Sequence, residues 1–131
     1  MYKGVDHVVI AVKDMEAAIA KYEAIYGQPV SDRGEPAGAG FTTAFFRFAE
    51  SYVELVCPTG DAGPVAKRLA DSGEGVYMIA MKVDDIDATL TDLRGKSVRL
   101  IGDPGAGNPV KGMVLVHPAG TGGVLTQLVQ R

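Results

Sequence analysis

A histidine and a glutamate, His7 and Glu54, each sit inside a largely apolar run of strand-forming residues, Val5 to Val12 and Tyr52 to Cys57. Imidazole and carboxylate converging from different strands is the combination that acid/base catalysis or divalent-metal binding requires. A polar side chain in such a run also needs a partner or water once it is buried. Both stretches recur. Sliding Val5-Asp6-His7-Val8-Val9-Ile10 along the chain until His7 meets Met78 also brings Val5 onto Val76, Val12 onto Val83, Asp14 onto Asp85 and Ala17 onto Ala88. At a slightly longer offset Glu54-Leu55-Val56 meets Gln127-Leu128-Val129. The chain therefore reads as one module written twice. In a pseudo-twofold arrangement equivalent positions face each other, pairing His7 with Met78 and Glu54 with Gln127.

That pairing sets the chemistry to be expected. Glu54 is the candidate general base or acid, and burial in a cavity would raise its pKa. His7 and Gln127 are candidates to orient a substrate or stabilise an oxyanion. Met78 reads as an apolar, adaptable side chain lining a pocket. Thr43, Phe45 and Arg47 alternate onto one face of their strand and are candidate substrate-binding residues, with Arg47 set to meet an anion; a solvated strand edge is the competing reading. His117, before Pro118, reads as a turn residue. Cys57 reads as inert packing, with no cationic neighbour in sequence to activate it.

The elements that must position these groups follow from periodicity and breakers. Val5 to Val12 predicts a buried strand, Asp14 an N-cap, and Met15 to about Tyr26 a helix whose buried face carries Ala18, Ile19, Tyr22 and Ile25. Gly27 stops it. A short extended piece is expected around 28–32, a Gly/Pro loop over 34–40, and strands over Phe41 to Phe48 and Tyr52 to Cys57. Pro64, at a first-turn position, opens a short helix. The order then repeats: strand Val76 to Val83, cap Asp85, helix Ile86 to about Arg94, and strands at Val98 to Ile101, Met113 to Val116 and Val124 to Val129. This is a single α+β domain over residues 1–131, with βαβββ modules at 1–63 and 73–131 joined by a short helix at 64–72. A half of this size does not readily cover its own sheet, so the two halves are expected to pair, within the chain or across a dimer, around a shared cavity.

Composition narrows the classes. The chain has 131 residues, 47% of them hydrophobic, and a net charge of −3 with no basic run, which argues against nucleic acid as a partner. Its apolar runs are strand-length, well short of the roughly 20 residues that span a bilayer. Met1-Tyr2-Lys3-Gly4 leads straight into the first strand, so no signal peptide is expected. One cysteine forms no intrachain disulfide and suits a reducing cytoplasm.

Several motifs carry a family resemblance. They are Asp6-His7 followed by Ile10-Ala11-Val12-Lys13-Asp14, the strand ending Glu54-Leu55-Val56-Cys57-Pro58, Pro64-Val65-Ala66-Lys67-Arg68-Leu69 before Gly73-Glu74-Gly75, and His117-Pro118 before Gly122-Gly123-Val124-Leu125. On these residues the chain resembles the vicinal oxygen chelate superfamily, which includes glyoxalase I, extradiol dioxygenases, bleomycin-resistance proteins and methylmalonyl-CoA epimerase, and it is most similar to the epimerase branch. The resemblance implies two βαβββ modules forming a curved mixed sheet around a cup-shaped cavity, and a homodimer. It also implies four metal ligands in the cup: His7 and Glu54 match two of them, while Met78 and Gln127 stand where a histidine and a glutamate belong, and Tyr77 replaces a residue that is commonly histidine. A thioether is a soft, weak ligand for a hard divalent ion, and a carboxamide cannot shuttle a proton. The expectation is therefore an epimerase-like enzyme acting on a small molecule with an activated carbonyl, by an epimerase, isomerase or cyclase type of proton transfer and without the usual metal. No other cofactor is expected; if a divalent metal binds, His7, Glu54 and Gln127 hold it. Two other readings stand beside it: a non-catalytic small-molecule binding or resistance protein, and a metal-dependent methylmalonyl-CoA epimerase with an altered ligand set.

Overall fold

The computed structural model describes residues 1–131 and divides them into two compact units, His7–Tyr77 and Met1–Asp6 with Met78–Arg131. The element order is two βαβββ modules with a helix between them: β1 (Tyr2–Ala11), α1 (Met15–Tyr26), β2 (Asp32–Gly34), β3 (Phe41–Arg47) and β4 (Tyr52–Pro58), then α2 (Pro64–Ser72), then β5 (Gly75–Val83), α3 (Ile86–Gly95), β6 (Leu100–Ile101), β7 (Val114–Val116) and β8 (Thr126–Gln130). No helix is long and apolar enough to cross a membrane.

In the His7–Tyr77 unit the strands run in the order β2-β3-β4-β1. The β1–β4 pair is parallel, and the other two pairs are antiparallel. One face of this sheet is covered by α1. Asp14, in extended conformation, accepts the Ala17 N–H at 3.0 Å and so caps the helix start. Gly27 ends the helix at φ 68°, a left-handed conformation that a side chain would disfavour, and its N–H returns to the Glu23 carbonyl. Met15, Ala18 and Ile19 pack on Val12, Ala44, Phe46 and Leu55, with Tyr22 and Tyr26 closing the edge. Phe46 is fully buried and alone contributes roughly 2–3 kcal/mol of transfer free energy. Ile25 is not on this face; it is 72% exposed. The packing stripe runs from Ile19 through Tyr22 to Tyr26 in steps of three and four, which leaves Ile25 at its margin.

The second unit repeats the plan, with order β5-β8-β7-β6. Asp85 caps α3 by accepting the Ala88 N–H at 3.0 Å, as Asp14 does for α1. Leu90 and Leu93 pack on Val114, Val116 and Leu128.

Three of the short strands start later than their apolar residues predict. Val30 N–H donates to the Glu23 carboxylate, so 28–31 is a connector tied to the end of α1 and pairing begins at Asp32. Val98 N–H donates to the Leu93 carbonyl, and Ser97 takes φ 58°, so this stretch finishes α3 before β6 begins. Val124 is held in a turn by the Thr121 hydroxyl, which delays β8 to Thr126.

Candidate functional site

The sheet face of the His7–Tyr77 unit turned away from α1 carries the polar groups, and strand register arranges them in rows. His7 on β1 lies level with Tyr52 on β4, and Tyr52 with Arg47 on β3. In the next row Val9, Glu54 and Phe45 are level, and Phe45 is paired in turn with Asp32 on β2. Ala11, Val56 and Thr43 form the third row. The alternation that sends Ala44, Phe46 and Leu55 into the core under α1 thus sends Thr43, Phe45, Arg47 and Glu54 to this face together.

His7 and Glu54 are brought together. His7 Nε2 stands 3.9 Å from Glu54 Oε1, with the side chains 5% and 16% exposed. That separation is electrostatic contact, longer than a hydrogen bond. Burial removes water from the Glu54 carboxylate and raises its pKa above the usual value; the Arg47 guanidinium opposes the shift but does not cancel it. The imidazole is held flat against the Tyr52 ring, with centroids 4.3 Å apart and planes 9° from parallel. Phe45 meets Tyr52 edge to face, and the Arg47 guanidinium carbon lies 5.1 Å from the Phe45 centroid and 5.2 Å from that of Tyr52. Arg47 Nε donates to Asp32 Oδ2 at 2.6 Å. The result is a largely buried acid/base pair reached over an aromatic step with a guanidinium at its outer end. Thr43 is buried in the same face.

Met78 and Gln127 belong to the other compact unit. Met78 is buried, and Gln127 is level with Ala80, two residues along β5 from Met78 and on the same face. Tyr77 alternates to the opposite face and is half-buried, with burial raising its phenol pKa. His117 caps a 3₁₀ turn at Pro118–Gly120, its Nδ1 accepting the Ala119 N–H at 3.0 Å. Cys57 donates weakly to the Lys13 carbonyl, and burial pushes its thiol up, away from the reactive thiolate. A groove of about 420 Å³ lies apart from the His7–Glu54 pair, where the end of β1 meets α1; its two carboxylates, Asp14 and Glu74, each accept a backbone N–H.

Two contributors were not singled out from sequence. Tyr52 shares the Glu54 face of β4 by simple alternation, which was a usable signal. Asp32 meets Arg47 only through the β2–β3 register, for which the sequence offers none.

The residues present can be tested against the divalent metal that the family resemblance implies. Nowhere in the chain do three or more His, Cys, Asp or Glu side chains converge in a way that could hold an ion. His7 and Glu54 supply one imidazole and one carboxylate, and the second module offers Met78 and Gln127 at the corresponding positions. Three protein ligands is the ordinary minimum for a catalytic site of this kind, and a thioether does not serve a hard ion. With one imidazole and one carboxylate in the His7–Tyr77 unit, and a thioether and a carboxamide at the matching positions of the other, the donor set is a poor match to a hard divalent ion.

Residues 6–113 match the profile of the Glyoxalase/Bleomycin resistance protein/Dioxygenase superfamily. The chain is 35% identical over 130 residues to the human mitochondrial methylmalonyl-CoA epimerase, covering 95% of this chain and 72% of that protein. It is 32% identical over 128 residues to the ethylmalonyl-CoA/methylmalonyl-CoA epimerase of Cereibacter sphaeroides, covering 95% of this chain and 96% of that one. Among solved structures it is similar to a variant of the Streptomyces coelicolor methylmalonyl-CoA epimerase in complex with 2-nitronate-propionyl-CoA, with 34% identity, a TM-score of 0.84, and coverage of 99% of this chain and 98% of that one.

Proposed function

Because the chain belongs to the glyoxalase/bleomycin resistance/dioxygenase superfamily and has the vicinal oxygen chelate fold of its methylmalonyl-CoA epimerase relatives, we propose that it moves a proton at the carbon beside the thioester carbonyl of a small CoA-linked acyl group. One observation carries this reading: Glu54 is a largely buried carboxylate with a raised pKa, held against an imidazole on the sheet face turned away from α1. A carboxylate that holds its proton more tightly is a stronger base toward a weak carbon acid. Glu54 takes the α-proton, the electrons move into the thioester carbonyl, and the protonated Glu54 returns a proton to the enolate. His7, locked by its stack on Tyr52, orients the carboxylate and offers a ring N–H to the developing oxyanion. Gln127 has no proton-accepting group, so the acid/base work falls to Glu54.

The donor set argues that this proceeds without a bound divalent metal. Elemental analysis of the purified protein is expected to find no stoichiometric cobalt, manganese, nickel or zinc. One equivalent of any of them would overturn the metal-free part of the reading.

Incubation of the protein with methylmalonyl-CoA in deuterated water, followed by mass spectrometry, is expected to show label entering the acyl group. Glu54→Gln should slow that exchange by about 100-fold or more, the scale of a general-base contribution. Exchange that survives Glu54→Gln unchanged would remove Glu54 as the base. Tight binding with no exchange in the wild type would instead place the chain among binding proteins of its superfamily.

A further inference from the structure

Glu54 rises from a sheet face between the apolar Val9 and Phe45 of its own row, so a bound carbon lies over the sheet and meets the carboxylate from the sheet side. Configuration at a carbon inverts only when one group removes the proton from one face and a second group supplies a proton to the other. Two such groups, each within about 3 Å of the carbon, stand about 6 Å apart. His7 Nε2 and Glu54 Oε1 are only 3.9 Å apart, and the Tyr52 ring lies flat on the imidazole, so this cluster serves a single face of a substrate. Asp32, the other carboxylate at this face, is half-exposed and already accepts Arg47 Nε at 2.6 Å. In the other unit, the row that the repeat matches to Val9, Glu54 and Phe45 consists of Ala80, Gln127 and Leu115, and none of these accepts a proton.

A carboxyl that takes a proton and returns it to the same face of the same carbon leaves the molecule unchanged. Net reaction requires that the proton return to a different carbon. We propose that this site catalyses an allylic proton shift along one face of a β,γ-unsaturated acyl thioester, yielding the conjugated α,β-unsaturated isomer, and does not epimerise the α-carbon. The inference rests on the proton-transfer reading above and gives it a stereochemical course and a substrate class. The α C–H bond breaks as the Glu54 carboxylate forms an O–H bond, and the electron pair spreads through the carbonyl and the neighbouring double bond as a dienolate. The Glu54 O–H bond then breaks as a C–H bond forms at the γ-carbon, and the double bond comes to rest between the α- and β-carbons. The protein ends as it began, and no co-reactant enters. The two carbons lie on one face of a planar dienolate, so a single carboxyl serves both. A poorly solvated carboxylate beside a donor for the carbonyl oxygen is suited to this work. Val9 and Phe45, flanking Glu54 with hydrocarbon, suit an unsaturated acyl chain.

The test has two arms, each run on the wild type and on Glu54→Gln. In the first, each enantiomer of methylmalonyl-CoA is incubated separately in deuterated water, with label followed by mass spectrometry and configuration by circular dichroism. Label should enter the acyl group while the dichroism is preserved. Dichroism that decays in step with label entry would show protonation from both faces and overturn the proposal, while leaving the proton-transfer reading intact. In the second arm, vinylacetyl-CoA carrying deuterium at its α-carbon is incubated in ordinary water, and its conversion to crotonyl-CoA is followed by the absorbance of the conjugated thioester. Conversion should occur, with deuterium recovered at the γ-carbon of the product. Glu54→Gln should slow label entry in the first arm and conversion in the second by about 100-fold or more. Crotonyl-CoA with solvent hydrogen alone at the γ-carbon would mean that a group other than the Glu54 carboxyl returns the proton, and would overturn the proposal. Label entry into methylmalonyl-CoA with no conversion of vinylacetyl-CoA overturns it too, again leaving proton transfer in place. A wild type that neither exchanges the one nor converts the other overturns both.

Discussion

Glu54 is placed where a carboxylate is poorly solvated, and this has a cost for folding as well as a use in chemistry. Its pKa in the folded protein lies above that of an exposed glutamate because burial disfavours the anion. The sign follows from linkage. A group with a raised folded pKa contributes most to stability at pH below its unfolded pKa, and that contribution is lost as the pH rises through the folded value. At neutral pH, above its unfolded pKa, Glu54 therefore works against the fold, whereas glutamine has no charge to desolvate. Glu54→Gln is expected to melt at a higher temperature than the wild type at pH 7, with the difference closing well below the unfolded pKa of glutamate, near pH 3, where both side chains are neutral. Scanning calorimetry at the two pH values checks this; a lower melting temperature for Glu54→Gln at pH 7 would mean that the carboxylate is stabilised by its neighbours and is no strong base. The same substitution that stops proton exchange should thus stabilise the molecule, the usual relation between a functional group and its scaffold.

At the scale of elements, the strongest signals in the sequence were local ones. Asp14 and Asp85 announced helix starts because an N-cap acts over three residues, and the β-branched run at Val8–Ile10 announced β1 for the same kind of reason. The starts of β2, β6 and β8 were not legible, since each is set by a hydrogen bond to a helix end or a turn hydroxyl that apolar content does not encode. The His7–Glu54 pair could be anticipated because the repeat located both residues, but the Asp32 brace on Arg47 depends on hairpin register and could not. Register is most demanding between β6 and β7. Gly102 follows β6 at φ 78°, and a Cβ there would sit 2.2 Å from the Met113 carbonyl oxygen, on backbone that cannot swing aside. Gly107, in the same loop at φ 80°, has nothing within 4 Å. Gly107→Ala should cost only the left-handed conformation, about 1 kcal/mol. Gly102→Ala adds an overlap and should cost about 3 kcal/mol. Urea unfolding of the two variants separates the terms; equal midpoints would show that the β6–β7 connection relaxes freely.

Over the whole molecule the two modules share a plan but not a chemistry. The first keeps the imidazole, the carboxylate and the braced guanidinium, and the second holds Met78 and Gln127 at the matching places while carrying a partly buried two-nitrogen ion pair. Arg94 on α3 grips Asp103 with two nitrogens, at 2.8 and 2.5 Å, and the Gly105 N–H adds a third donor at 3.1 Å. These donors hold the Asp103 carboxyl at about 2, below the usual 3.8. The linkage here runs opposite to that of Glu54. A depressed folded pKa contributes stability above the unfolded pKa, and that contribution drains away as the pH falls through the folded value. Glu16, paired with Arg33, and Asp84, paired with the N-terminal ammonium, act in the same direction from exposed positions where solvent screens them. The molecule should therefore lose stability steadily between pH 4 and pH 2. Asp103→Asn isolates the main contributor, because it keeps the shape of the side chain and removes the charge that Arg94 meets. Its stability deficit against the wild type, read as a difference in urea midpoint, is expected to be constant from pH 7 to about 5 and to close as the pH approaches 2. A deficit that stays constant down to pH 2 would show that Asp103 acts through its hydrogen bonds to the Gly105 backbone and not through its ionised pair with Arg94.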